Sequence, residues 1–383
     1  MIAQPELTAE EVRTLALEVM QRHLKLEVGG YKCDSNMLRN VLLKAAAEGL
    51  SIDAVCQELS GLAAANTVRV ELNKVLNVKD LKQHEQQMNE ALTEWLPAAL
   101  YPRRLELALD MHDEPFYGKS AAFEGYVCRG LAKAGTTHFI RVASVYVIWR
   151  DVRLTLAVTY VRPKEATLHL VKRLLKRVTD IGLHWYSLYM DKGFCSTKLI
   201  RYLQARHSPA IIACAIRGKT GGIRPLCVGR KSYTTDYTFG DGTTVCLVLY
   251  RRRLQDKNSQ RQWKWLAYVL IEFRWSPGEV FVLYRRRFGI ECSYRSMHHT
   301  KAVTTSRNPA VRFFLLGLAL LLENLWVRLR HTVARVPGPG PRRVCMTHFP
   351  LRRFIAFLAR AIEQVYPPIL SCPLLCFSES VKY

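Results

Sequence analysis

The chain has 383 residues, long enough for a sizeable core and one to three domains. Apolar residues make up 49 %, which excludes a chain too polar to fold. Lys and Arg number 56 against 32 Asp and Glu, a net charge of +24 that calls for a polyanionic partner, a nucleic acid ahead of an anionic membrane surface.

The N-terminal segment MIAQPELTAEEVR is acidic and lacks an apolar core, so it does not read as a secretory signal. No membrane span is expected. The most apolar stretch, RFFLLGLALLLE, has only ten uncharged residues between Arg312 and Glu323 and reads as a buried helix. These readings predict a protein of the cytoplasm, associated with the nucleoid. The eleven cysteines are scattered with no Cys-x2-Cys pair, the pattern of free, largely buried thiols.

Residues 1–100 read as helical. AEEVRTLALEVMQRHL follows Thr8, which forms a capping box with Glu11. SNMLRNVLLKAAAEGL closes at Gly49, and SIDAVCQEL starts from a Ser51 cap. After a break at Ser60-Gly61 comes ANTVRVELNKVL. The last two helices form a helix-turn-helix-like pair with Arg69 and Lys74 on or near the recognition helix. Packing within a helical bundle is the competing reading. KDLKQHEQQMNEALTEWLPAAL leads to a boundary at Pro102.

From Leu105 the pattern turns to strands: LELALDMHD, then FIRVASVYVIW and RLTLAVTYV as a hairpin. The amphipathic helix KEATLHLVKRLLKRVTDIG, the strand HWYSLYMD, the helix CSTKLIRYLQARH and the strand AIIACAIR follow. Three strands, helix, strand, helix, strand is the core order of a ribonuclease-H-like fold. The predicted class is α/β, a mixed sheet flanked by helices, with an N-terminal helical domain. Residues 217–280 form a β-rich insertion: a basic glycine-rich loop, then TTVCLVLYRRR and WKWLAYVLIEF. The predicted divisions are 1–100, a catalytic domain over 101–330, and 331–383, a basic proline-glycine linker with a terminal amphipathic helix.

Three acidic residues carry the chemistry. Asp110 ends LELALD, Asp191 ends LHWYSLYMD, and Glu291 lies in the basic segment YRRRFGIECSYR, successive acids standing 81 and 100 positions apart. The first and fourth strands are neighbours in this fold, so the aspartates converge. Two divalent ions about 4 Å apart need shared hard oxygen ligands, which carboxylates supply. Two Mg²⁺ ions are expected, with Mn²⁺ as a substitute. Tyr284, Arg287 and Glu291 share one helix face, and His298 continues it. Tyr284, Arg287 and His298 are expected phosphate contacts. Arg285, Arg286 and Arg295 widen the basic surface, and Lys192, beside Asp191, is another candidate. Asp113 is a weaker candidate ligand. Trp263, Trp265 and Trp275 of the insertion read as core packing before base stacking.

LALDMHDEPFYG, YMDKGF and YRRRFGIE together resemble a DDE transposase of a prokaryotic insertion sequence, in the branch with a β-rich insertion before the last acid. The likeness covers roughly residues 100–330. That branch carries Tyr, two residues, Arg, three residues, Glu, six residues, Lys. Here Tyr284, Arg287 and Glu291 match, His298 stands at the lysine position, and Lys301 is the alternative three residues on. The resemblance implies an enzyme that binds terminal inverted repeats, frees 3′-hydroxyls and joins them to target DNA. It implies double-stranded DNA as partner, a homodimer on paired ends and no organic cofactor. A metal-dependent endonuclease on the same fold is the second reading, and a transposase-derived DNA-binding protein without activity the third.

Overall fold

The computed structural model describes residues 6–118, 121–149, 152–218, 220–255, 261–288, 297, 299–336, 343–345 and 347–371. Local signals set the first elements. The Thr8 hydroxyl accepts from Glu11 N while the Glu11 carboxylate accepts from Thr8 N, opening α1 (Ala9–His23). Asp34 caps α2 (Ser35–Glu48), which closes at Gly49 in the left-handed region. Ser51 caps α3 (Ile52–Glu58), and α4 (Ala65–Val75) and α5 (Leu81–Thr93) follow.

The strands of the main sheet are β1 (Arg104–Pro115), β2 (Val127–Lys133), β3 (Thr136–Trp149), β4 (Val152–Tyr160), β5 (His184–Met190), β6 (Ala210–Cys214), β7 (Tyr233–Thr238), β8 (Thr244–Gln255) and β9 (Arg261–Ile271). They form one sheet in the order β2-β3-β1-β5-β6-β9-β8-β7, with β4 also on β3. The core β4-β3-β1-β5-β6, with β5 and β6 parallel to β1, is the ribonuclease-H-like arrangement. The insertion strands extend this same sheet, because β9 pairs antiparallel with β6.

Two strands escape the sequence reading. β2 pairs with the first half of β3, through a tight turn at Ala134 and Gly135, both at positive φ. β7 begins at the end of the basic glycine-rich loop and runs through a stretch that the sequence reading leaves unassigned. β1 is also longer than expected, because it keeps pairing with β3 from Glu106↔Ile148 through to Pro115↔Phe139.

One face of the sheet is covered by α6 (Thr167–Asp180) and α7 (Thr197–Ala205), over Leu107, Leu109, Val145, Leu188 and Ile212. The other face takes α8 (Pro277–Arg285), over Ala108, Tyr146, Tyr189 and Tyr268. The long helix α9 (Pro309–Val333) is the one described helix long and apolar enough to cross a membrane, and 89 % of its most apolar window is buried inside the fold, as the sequence reading expects. It shares a core with α1–α5 and with α10 (Leu351–Glu363).

The outer edge of β4 is closed by side chains. Asn324 of α9 accepts from Thr155 N at 3.0 Å and donates to Thr155 O at 2.8 Å. Asn89 of α5 does the same for Val158, at 2.7 and 3.0 Å, and Glu85 accepts from Tyr160 N at 3.2 Å and from the Thr159 hydroxyl at 2.7 Å. An exposed row of backbone groups is thereby satisfied inside the protein.

Candidate active site

β1 alternates. Leu105, Leu107 and Leu109 enter the core under α6 and α7, while Ala108 faces α8. With period two, Glu106 and Asp110 share the Ala108 face. The parallel register Leu109↔Met190 then sets Asp110 beside Asp191, the first residue after β5. Asp110 is therefore not at a strand end, as the sequence suggests. It sits within β1, opposite Ser144, at the level where its neighbour β5 stops.

α8 brings the third partner. Ser276 and Glu279 form its capping box and Pro277 its first residue. After Arg285 the chain tightens into a 3-10 turn, Arg286–Phe288. Arg287 is 4 % exposed, and its guanidinium carbon lies 5.2 Å from the Tyr284 ring centroid. Its Nη1 is 3.6 Å from Asp110 Oδ1 and its Nη2 is 3.7 Å from Asp191 Oδ1. One guanidinium thus bridges both aspartates.

The surroundings fix that turn. The Tyr146 hydroxyl donates to the Arg287 carbonyl at 2.8 Å. Arg286 Nη1 donates to Glu106 Oε1 and Oε2 at 2.9 and 3.0 Å, and the Tyr189 hydroxyl donates to the same carboxylate at 3.0 Å. Tyr284 is buried, donates to Met190 O at 3.3 Å and leans on Tyr268 with centroids 4.8 Å apart. Burial pushes the phenol of Tyr284 above its usual range. Tyr284 lies beneath the aspartates rather than on a surface open to phosphate.

Further along the same face of β1, Glu114 accepts from Lys301 and lies 2.7 Å from His112 Nε2. Burial pushes the Glu114 carboxyl up, but the His112 hydrogen bond and the Lys301 charge outweigh it and hold the group at about 2. Lys301 is thus engaged with Glu114, a partner sequence spacing does not reveal. Asp113 faces the opposite side, where Arg141 holds it by two bonds of 2.6 and 3.0 Å.

Lys192 is exposed on the turn after Asp191, and Arg285 is exposed over Phe281, which Arg252 also flanks at 4.9 Å. Arg69 and Lys74 are exposed on α4, Lys74 paired with Glu71 at 2.7 Å. Trp263 is 57 % exposed with Arg251 over its ring at 4.7 Å, and Trp265 packs edge-on against Tyr233. Glu291, Arg295 and His298 lie outside the described residues. Sequence reasoning missed Glu106 and its pairing with Arg286. The signal was present, since Glu106 and Asp110 are acids on one face of an otherwise apolar strand. It also missed a cleft of about 970 Å³ on the other face of β1, the Asp113–Arg141 side, which runs from Met111 and Gly193 past Arg162 and Lys164 to Arg129.

The donor set suits divalent ions. Asp110 and Asp191 present hard oxygens to a single buried positive group, so the guanidinium stands where a cation is favoured.

The transposase DDE domain family matches residues 133–323, from the end of β2 into α9. The chain belongs to the DDE transposases. The match contains Asp191 and Glu291 and begins after Asp110. Among solved structures, the chain is similar to the piggyBac transposase in its cryo-electron-microscopy synaptic complex with hairpin DNA. The TM-score is 0.54 at 13 % identity, over 93 % of this chain and 77 % of that one. At that identity the likeness speaks for the fold of this transposase. No curated protein matches it by sequence.

Proposed function

We propose that this transposase binds the terminal inverted repeats of its element, cleaves the DNA strands there and joins the freed 3′-hydroxyls to target DNA. The observation that carries this reading is the convergence of Asp110 and Asp191 on one buried guanidinium. Asp110, Asp191 and Glu291 would hold two Mg²⁺ ions, or Mn²⁺ in their place. Bound there, the ions would polarise the scissile phosphodiester and lower the pKa of the attacking water or hydroxyl. Asp110 orients its carboxylate from a strand locked on both sides. Asp191 does so from the mouth of β5. Arg287 neutralises the two carboxylates, and with divalent ions bound its charge would serve the DNA phosphate. Tyr284 supports Arg287 from below, and Glu106 anchors the turn through Arg286.

Double-stranded DNA is the partner, both element ends and target. Lys192, Arg285, Arg295, His298 and Lys301 are the proposed DNA contacts near the acids, and Arg162, Lys164 and Arg129 give the cleft on the other face of β1 a cationic wall. Arg69 and Lys74 on α4 read the repeat within an N-terminal helical region, 1–100. The catalytic region spans 101–330, and 331–383 is a basic linker with a terminal helix. The working form on paired ends is a homodimer without an organic cofactor, in the cytoplasm at the nucleoid.

The test incubates purified protein with Mg²⁺ or Mn²⁺ and labelled DNA carrying the element's ends, beside Asp191→Asn. End-specific cleavage followed by joining, absent from the variant, is the expected result. Cleavage without end preference or joining would instead make it an endonuclease. Tight end binding without cleavage would make it an inactive DNA-binding copy.

A further inference from the structure

Two cysteines with no part in the proposed chemistry meet just beyond Asp191. Cys195 follows the 3-10 turn Lys192–Phe194, and Cys214 is the last residue of β6. Their Sγ atoms are 3.4 Å apart, and both side chains are only partly buried. Because β5 and β6 run parallel, with Met190 opposite Ile212, the two chain segments leave the sheet together and their thiols converge.

The environments are unequal. The Cys195 S–H donates to Cys214, which keeps the proton on Cys195 and raises its pKa. Cys214 is pushed below its usual range, first by that hydrogen bond, against burial, and then by the Arg217 charge and the Ala215 N–H. Arg217 is exposed and Cys214 itself is partly exposed. Two thiols in contact, one with its acidity raised and the other holding the shared proton, are the arrangement for thiol–disulfide exchange.

We propose that Cys195 and Cys214 form a reactive dithiol site that takes small-molecule disulfides as substrate and closes to an intramolecular disulfide beside the Asp191 turn. The Cys214 thiolate attacks one sulfur of the disulfide, and a small-molecule thiolate leaves. Cys195 sulfur then attacks Cys214 sulfur, its proton passes to solvent or to the departing thiolate, and the second small-molecule thiol leaves. Two protein thiols are oxidised and one small disulfide is reduced to two thiols. A disulfide needs the sulfurs at about 2.0 Å, so closure draws the turn toward β6. Resting on the proposed function, this shift of the segment that begins at Asp191 lowers DNA cleavage.

The test exposes the full-length protein to oxidised glutathione and maps its peptides by mass spectrometry under non-reducing conditions. The expected product is a linked Cys195–Cys214 peptide lacking two hydrogens. It forms ahead of any adduct at the exposed Cys345 and is reversed by dithiothreitol. Cys195→Ser should trap a stable glutathione adduct on Cys214, and Cys214→Ser should leave Cys195 unmodified. The proposal is overturned if Cys345 reacts while this pair stays reduced, or if wild type keeps an unresolved adduct. None of these readouts depends on DNA, so they stand apart from the transposase reading. Cleavage of end DNA that is equal for oxidised and reduced protein would remove the coupling to Asp191 alone.

Discussion

Two polar clusters hold opposite ends of this protein's behaviour. At the β4 edge, Asn324, Asn89 and Glu85 meet the backbone at 2.7 to 3.2 Å, with donors and acceptors matched in buried surroundings. At the β1–β5 junction, Arg287 stands 3.6 and 3.7 Å from two aspartates, beyond good hydrogen-bond length, with Asp191 partly open to solvent. Matched, dry polar groups fix a structure. Like charges gathered around one buried cation form a place where another cation is favoured.

The comparison breaks most sharply at the carboxylates. Asp191→Asn or Asp110→Asn should lower end cleavage by on the order of 10³-fold or more, since several kcal/mol of transition-state charge stabilisation is removed. Circular dichroism and melting temperature should stay near wild type. A variant that unfolds would instead put Asp191 in the structural class.

Asn324→Ala should act the opposite way. It strips partners from Thr155 N, Thr155 O and Leu92 O, and should cost about 3 kcal/mol of stability in denaturant titrations. Cleavage per folded molecule should hold. A near-neutral stability change would show that water reaches this edge.

Glu114 supplies a pH test. Its folded pKa of about 2 lies below the ordinary 4.5. Its stabilisation is therefore full above pH 4.5 and is lost as pH falls from there toward 2. Glu114→Gln should remove roughly 3 kcal/mol at neutral pH and flatten the acid limb in that window. An unchanged acid limb would mean that His112 and Lys301 find other partners.

Much of this was legible in the sequence. The capping residues Thr8, Glu11 and Ser51 act locally, and long apolar strands declare themselves by composition. β2 was hidden because Gly130 and a 94 % exposed Leu131 break its pattern, and β7 because YTTDYT is a polar edge strand. Asp110 and Asp191 stood out as acids against apolar strands. The shared face of Tyr284 and Arg287 emerges as a ring–guanidinium contact. The partners Glu106–Arg286 and Glu114–Lys301 are 180 and 187 residues apart, and no local rule reaches that far.

Smaller effects sharpen the comparison. Arg287→Ala should raise Mn²⁺ affinity about tenfold, close to 1.4 kcal/mol, by removing the competing cation, while weakening DNA binding. Weaker Mn²⁺ binding would show that Arg287 organises the ligands instead. Arg69→Ala should reduce the salt slope of end binding by about one, as for a single lost phosphate contact. An unchanged slope would leave α4 to bundle packing.

The most direct measurement is a Mn²⁺ titration followed by electron paramagnetic resonance, on wild type, Asp110→Asn and Asp191→Asn, all folded by circular dichroism. The account predicts saturable binding in wild type that falls sharply in both variants. Equal binding in all three proteins would contradict it, because the two aspartates would then not be the site at which cations exchange.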